Sequence, residues 1–264
     1  MEPEQHRPKK SLGQNFLMHQ ATADRIADVG VHAPTDVVLE IGPGTGMLTR
    51  ALLQRASKVY AVEADSTLVG KLTETFAAEI EEGRLVLTSG DVRTFDASSI
   101  TGAYRLVANI PYYITGEIIR QFLTEDHKPS SMTLLVQKEV AVRIARAKKE
   151  SILSLSVKAY GTPSYAFTVP KGAFWPAPSV DSAVLSITEI SKASFQSDTH
   201  EKRFFEVVRA GFAHKRKLLA RNLEAVASPK SIHGVFESLN LSLKARAEDL
   251  SLANWLSLGK ELKT

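Results

Sequence analysis

The chain has 264 residues, 44% hydrophobic and 23% charged, with a formal net charge of +4, a pI near 9.2 and no cysteine. That length holds one large domain or a large and a small one, and the missing thiols exclude disulfides, thiolate catalysis and Cys-ligated zinc or iron–sulfur sites. The mild basic excess is compatible with a polyanionic partner. MEPEQHRPKK at the start has no apolar core and no run reaches membrane-span length, so a soluble, cytoplasmic protein is expected.

In chain order, the first strong signal is Val37–Ile41, an apolar run that ends in a glycine-rich turn. A helical pattern follows, with Leu48, Leu52 and Leu53 on one face. KVYAVEAD (58–65) reads as a second strand, and residues 65–80 as a helix capped by Asp65 or Ser66. RLVLTSGD, YRLVAN and SMTLLVQ supply three more strands, and helical patterns occupy 115–124 and 138–147. Nearly all-apolar strands alternating with helices predict a doubly wound, mostly parallel α/β sheet. ILSLSV (152–157) and SAVLSI (182–187) alternate with period two and read as paired strands near an edge. Residues 189–200 read as a polar linker. Beyond them only helical periodicity remains, at Phe204, Phe205, Val208 and Phe212, then Leu218, Leu219 and Leu223, then Val235, Phe236 and Leu239, then Leu252, Trp255 and Leu256. The expected division is residues 1–190 for the α/β domain and 191–264 for a small α-helical domain.

LEIGPGTGM follows the first strand and opens a helix. It misses the dinucleotide fingerprint, because Met47 falls where the third glycine belongs, and it lacks the Gly-Lys-Ser/Thr of a P-loop. The spacing E-x-G-x-G-x-G resembles the cofactor loop of class I S-adenosylmethionine methyltransferases, a Rossmann-like fold. A dehydrogenase is the weaker alternative. On that reading Gly42 and Gly44 let the backbone approach the cofactor. Glu63, ending the second strand, offers two acceptor oxygens to a ribose diol. Asp91, after the third strand, accepts from the adenine amine.

Ligands of open α/β sheets sit beyond the carboxyl ends of the strands, so the loop Asn109-Ile110-Pro111-Tyr112 should face the same crevice. Pro111 cannot continue a central strand. An exocyclic nucleobase amine is a poor nucleophile, because its lone pair is delocalised into the ring. Acceptance of its two N–H bonds by the Asn109 side chain and the Ile110 carbonyl shifts the nitrogen towards a tetrahedral shape. Tyr112 offers a stacking face worth about 1–3 kcal/mol. No strong base is needed, since the methylated amine becomes acidic.

Taken together, KSLGQNFL (10–17), LEIGPGTG (39–46), VEAD (62–65), SGDV (89–92), NIPYYIT (109–115), LLVQKEVAVRI (134–144) and FWPAPSVDSAV (174–184) resemble the ordered motifs of the KsgA/Dim-type rRNA adenine N6-dimethyltransferases. The resemblance implies transfer of four methyl groups from S-adenosylmethionine to two adjacent adenosines near the 3′ end of small-subunit rRNA, with the immature subunit as partner, a role in ribosome biogenesis and a monomeric enzyme. It also implies cofactor contacts from Asn15, Leu17, Gly42, Gly44, Glu63, Asp91, Val92 and Asn109. Phe174 would be a second aromatic wall opposite Tyr112. One departure is ESILSLSV (150–157), where many members carry a Tyr-Gly-Arg-Leu-Ser-like segment.

Three basic clusters suit phosphate contacts. Lys138, Arg143, Arg146, Lys148 and Lys149 form one. His214, Lys217 and Arg221 are expected on one helical face, with Lys215 and Arg216 nearby. Arg7, Lys9 and Lys10 form the third. The seven histidines show no metal spacing, and no G-x-S-x-G elbow is present. Two other readings stay open: an Erm-type methyltransferase of large-subunit rRNA, and a non-catalytic RNA-binding assembly factor.

Overall fold

Seven strands form one mixed sheet in the computed structural model, which describes residues 8, 9 and 12–262. Arg7 and Lys10 of the third basic cluster lie outside the described residues. The elements run β1 (Phe16–Leu17), α1 (Gln20–Gly30), β2 (Val37–Ile41), α2 (Met47–Leu53), β3 (Lys58–Glu63), α3 (Ser66–Thr75), α4 (Ala77–Glu81), β4 (Leu85–Ser89), β5 (Arg105–Asn109), α5 (Thr115–Thr124), β6 (Ser131–Gln137) and α6 (Lys138–Ala145). They continue as α7 (Ile152–Tyr160), β7 (Thr162–Val169), β8 (Phe174–Trp175), β9 (Ser182–Thr188), α8 (Asp198–Gly211), α9 (Leu219–Leu223), α10 (Pro229–Ser238) and α11 (Leu252–Glu261).

The sheet order is β4-β3-β2-β5-β6-β9-β7. Strands β2 to β6 pair in parallel, while β9 joins β6 and β7 antiparallel. Leu106, Val107 and Ala108 are fully buried on consecutive positions of β5. Consecutive burial means that both faces of the sheet are covered, as a parallel sheet requires. The chain winds outward from β2 through β3 to β4, then returns to the other side of β2 with β5. The loops after β2 and β5 therefore diverge at a switch point, which opens a crevice at the strands' carboxyl ends.

The chain divides into two compact units, Met1–Val142 with Thr162–Ile190, and Arg143–Gly161 with Ser191–Thr264. The first is built on the sheet. The second has its own apolar core, in which Phe204, Val208, Leu219, Phe236 and Trp255 from the last four helices meet Leu155 and Ala159 of α7. Burial of such a cluster, at about 25 cal/mol per Å², is what lets a small helical unit hold together.

Four expectations need correction. ILSLSV is not a strand but part of α7, and residues 143–161 belong with the helical unit. Ser151 caps this helix by accepting from Ser154 N at 3.1 Å, while Ser154 Oγ accepts from Ser151 N at 2.7 Å. Ser156 Oγ donates to the Ile152 carbonyl at 2.7 Å, so serines that looked like the outward face of a strand satisfy themselves on helix backbone. The strands beside β9 are β6 and, at the sheet edge, β7, TPSYAFTV. Strand β7 was missed because Pro163 argues against a strand, yet Pro is tolerated at a sheet edge.

The expected helix over 65–80 breaks in two at Phe76, whose φ and ψ are −115° and 30°. Residues 212–218 form a turn between α8 and α9, so His214, Lys217 and Arg221 do not share one helical face. The turn is pinned by the buried Asn222, whose Nδ2 donates to the carbonyls of Gly211 at 2.6 Å and His214 at 3.1 Å. The fourth correction, at Phe174, belongs to the site.

Candidate active site

The carboxyl ends of β2, β3, β4 and β5 open onto a single cavity within the sheet-based unit. Gly42 and Gly44 from the loop after β2, Glu63 from β3, and Asp91 and Val92 from the turn after β4 line it. Asn109, Ile110, Pro111 and Tyr112 enter from β5, and Asn15 and Leu17 from the N-terminal segment. Eleven residues scattered from 15 to 112 in the sequence thus meet around one space.

The glycine turn fits that space by backbone conformation. Gly42 has φ +68°, and a Cβ built on it would meet only the Asn109 carbonyl within 4 Å, at 3.8 Å. A side chain there would project towards the site. Gly46 has φ +84°, and its Cβ would sit 2.5 Å from Phe76 Cε2. This position needs glycine for packing and conformation alike.

Glu63 is 5% exposed and its two oxygens accept from backbone, Gly44 N at 3.0 Å and Asp65 N at 2.8 Å. Burial raises its pKa, against the pull of these N–H groups. These N–H groups hold the Glu63 carboxylate fixed on the cavity wall as an acceptor. The apolar lining from Ile41, Val62, Val92 and Leu17 suits a flat heterocycle.

Asp91 stands at the cavity edge, bound by Arg93. Arg93 Nε donates to both carboxylate oxygens at 3.0 Å, and Arg93 N to Oδ1 at 2.9 Å. These bonds hold the Asp91 carboxyl below its ordinary range. Sequence reasoning did not single out Arg93, which lines the same cavity. Its only signal was a cation two residues after an Asx turn.

Asn109 ends β5 and its Nδ2 donates to the Asn15 carbonyl at 3.0 Å. A carbonyl can only accept, so this contact fixes which way the amide points and leaves Oδ1 as the acceptor on the opposite side. Tyr112 is half-buried and its hydroxyl bonds Ser182 Oγ at 2.6 Å, which anchors the ring to the start of β9. Its neighbour Tyr113 is 64% exposed.

Phe174 does not line the cavity. It is 4% exposed, pairs with Leu17 across the two-stranded sheet of β1 and β8, and packs into the core. An aromatic in a short buried strand reads the same in sequence as one on a pocket wall.

Lys138 begins α6 in the sheet-based unit and is exposed. Arg143, Arg146 and Lys148 are exposed in the helical unit, as are Lys215 and Lys217 of the turn. Lys149 is bound to Glu248 and Arg221 to Glu224, the latter at 3.0 Å. Lys9 reaches Asp65 at 2.7 Å.

The family model described as ribosomal RNA adenine dimethylase matches residues 5–264. The chain belongs to this family. A ribosomal RNA small subunit methyltransferase A of Dehalococcoides mccartyi is 41% identical over 261 residues, covering 96% of this chain and 87% of the relative. The protein of the same name from Fusobacterium nucleatum is 36% identical, covering 96% of both. Among solved structures, a dimethyladenosine transferase from Plasmodium falciparum superimposes with a TM-score of 0.78 at 25% identity, covering 92% of this chain and 95% of that one. The 23S rRNA methyltransferase ErmE gives 0.77 at 24% identity, covering 95% of this chain and all of that one, a likeness of fold.

Membership makes the protein an rRNA adenine dimethyltransferase whose methyl donor is S-adenosylmethionine, on a Rossmann-like sheet. The residues present fit that cofactor. A paired acceptor stands on the wall for a diol, an acidic side chain at the edge for an amine, and no glycine-loop lysine is present for a phosphate. Among the described residues no helix is long and apolar enough to cross a membrane.

Proposed function

We propose that the protein dimethylates the N6 amines of two adjacent adenosines in the 3′-terminal loop of small-subunit rRNA, acting on the immature subunit as a monomeric cytoplasmic enzyme. The observation that carries the residue-level reading is the Asn109 amide, with its nitrogen committed to Asn15 and its oxygen turned the other way.

Bound S-adenosylmethionine supplies an electrophilic methyl group on sulfur. Glu63 holds the ribose hydroxyls, Asp91 gives up part of its Arg93 contact to accept from the adenine amine, and Gly42 and Gly44 give the backbone its close approach. Asn15, Leu17 and Val92 complete the cofactor wall. For the target base, Asn109 Oδ1 and the Ile110 carbonyl accept the two N–H bonds and aim the nitrogen lone pair into the cavity. Pro111 holds the chain extended at Ile110. Tyr112, its hydroxyl tied to Ser182, offers a stacking face that does not have to be ordered when the base arrives. After one transfer a single N–H remains, so the acceptors hold the amine by one bond while the other direction admits a methyl group.

Lys138, Arg143, Arg146, Lys148, Lys215, Lys217 and Arg221 are the phosphate contacts we propose, with Arg221 releasing Glu224 to act. Structured RNA is taken by shape, with unpaired bases drawn into pockets.

Asn109→Ala tests the mechanism. Loss of a donor or acceptor aimed at a reacting group costs about 10²–10³ in turnover. We expect kcat to fall by that order while S-adenosylhomocysteine affinity, read by calorimetry, changes only a few-fold. Full activity in the variant would remove Asn109 from the reaction.

A further inference from the structure

Residues 12–17 form one wall of the cavity, and among them Gly13, Gln14 and Asn15 lie in no helix or strand. The wall is held at its far end by β1 pairing with β8, and by Met18 N donating to the Ala173 carbonyl at 2.9 Å. Asn109 holds its middle through the Asn15 carbonyl. A further hold is at Asp65, which does not line the cavity. Lys9 Nζ donates to Asp65 Oδ1 at 2.7 Å and Gln14 Nε2 to Oδ2 at 3.1 Å. Lys9 N donates to Gln14 Oε1 at 2.7 Å, so the Gln14 amide bridges Lys9 to the carboxylate.

Asp65 is well placed for such a hold. Its side chain has no exposed surface, and both of its oxygens are met by charge-assisted bonds, from Lys9 and from Gln14. Burial alone would raise its pKa, but the bonds from Lys9, Gln14 and Thr67 N bring it down to about 2. It also caps α3, accepting from Thr67 N at 3.1 Å, which fixes it on a rigid element. Its own backbone N–H donates to Glu63 Oε1 at 2.8 Å. One turn therefore orients the ribose acid and anchors the opposite wall.

We propose that Asp65 is a positioning residue for the cofactor: through Lys9 and Gln14 it clamps residues 12–17 in place as a cavity wall, and the clamp sets how long the cofactor stays bound. The inference rests on the reading that this cavity holds S-adenosylmethionine. Lys9 thereby acts on the cofactor without touching it, since it is not a lining residue.

The test uses the full chain and S-adenosylhomocysteine as the probe, with dissociation followed by stopped flow. Lys9→Met removes the ammonium, and Asp65→Asn removes the charge while keeping the α3 cap, because Asn caps as well as Asp. Each should raise the dissociation rate about fivefold to tenfold, with the loss appearing in the cofactor KM and not in kcat. The double variant should be no worse than the weaker-binding single one, since both remove the same contact. Amide exchange at residues 12–17 should quicken in Lys9→Met. An unchanged dissociation rate in Lys9→Met, or additive effects in the double variant, would overturn the clamp while leaving the cofactor reading intact. Failure of the unaltered chain to bind S-adenosylhomocysteine would instead sink that reading and the clamp with it.

Discussion

Glu40 sits on β2 inside the glycine motif, 1% exposed, and neither of its oxygens nor Thr49 Oγ1 has a partner within hydrogen-bond geometry among the described residues. Burial pushes its carboxyl up to about 8, and the nearby Glu63 charge pushes the same way. A raised pKa means that the folded chain keeps a proton the unfolded chain has lost. Stability should therefore fall as pH rises from about 4.5 to about 8 and level off above. Glu40→Gln removes that slope. Urea unfolding at pH 5.5 and 8.5 should show stability that drops with pH more steeply in the parent than in the variant, which keeps the slope of the buried Glu63, the two differing on the order of a few kcal/mol. Parallel pH dependence in the two proteins would mean that Glu40 is not the group. At this scale the sequence was legible in position, wherever a residue's place follows from a strand end. Gly42, Glu63, Asp91 and Asn109 were all expected beyond strand ends, and all line the cavity. Arg93 and the Asp65 contacts were not legible, because a side chain that acts by bonding another residue leaves no spacing to read. Phe174 misled for the opposite reason, since an aromatic next to a proline-rich loop looks equally like a wall and like core.

At the scale of elements, the glycine turn joins fold to function, and two of its glycines should fail in different ways. Gly46→Ala meets Phe76 at 2.5 Å with φ +84°, so overpacking adds to backbone strain. A loss of about 2–4 kcal/mol is expected in denaturant unfolding. Gly42→Ala bears only the strain of φ +68°, about 1–2 kcal/mol, and should show its main effect as weaker cofactor binding. Equal stability losses with equal affinities would contradict this division of labour. The parallel strands were legible because continuous apolar runs of five residues between turns allow few alternatives. The antiparallel edge was not. A six-residue alternation of Leu and Ser satisfies strand and helix periods alike. What decided for a helix was the Ser151 cap and the core of the second unit, into which Leu155 and Ala159 pack. Neither is a local property of the six residues.

For the whole molecule, affinity for RNA should be electrostatic and salt-dependent. Each phosphate neutralised contributes about 0.7–0.9 to the slope of log affinity against log salt. Reversing Lys215 and Lys217 together, exposed on a turn braced by Asn222, should flatten the slope by about 1–2 and weaken binding. An unchanged slope would make that turn an ordinary solvated surface. The helical unit was legible as helices but not in extent, because Arg143–Gly161 joins it from a distant part of the chain. Contacts of that range are set by tertiary packing and leave no trace in periodicity.

The central claim is the reaction and its target. Methyl transfer from labelled S-adenosylmethionine to small ribosomal subunits lacking the two dimethyladenosines, with large-subunit rRNA as a parallel substrate and nucleoside mass spectrometry as the readout, tests it most directly. N6,N6-dimethyladenosine is expected at two adjacent positions near the 3′ end of the small-subunit RNA and none in the large. Label confined to the large-subunit RNA, or transfer to neither, would contradict it.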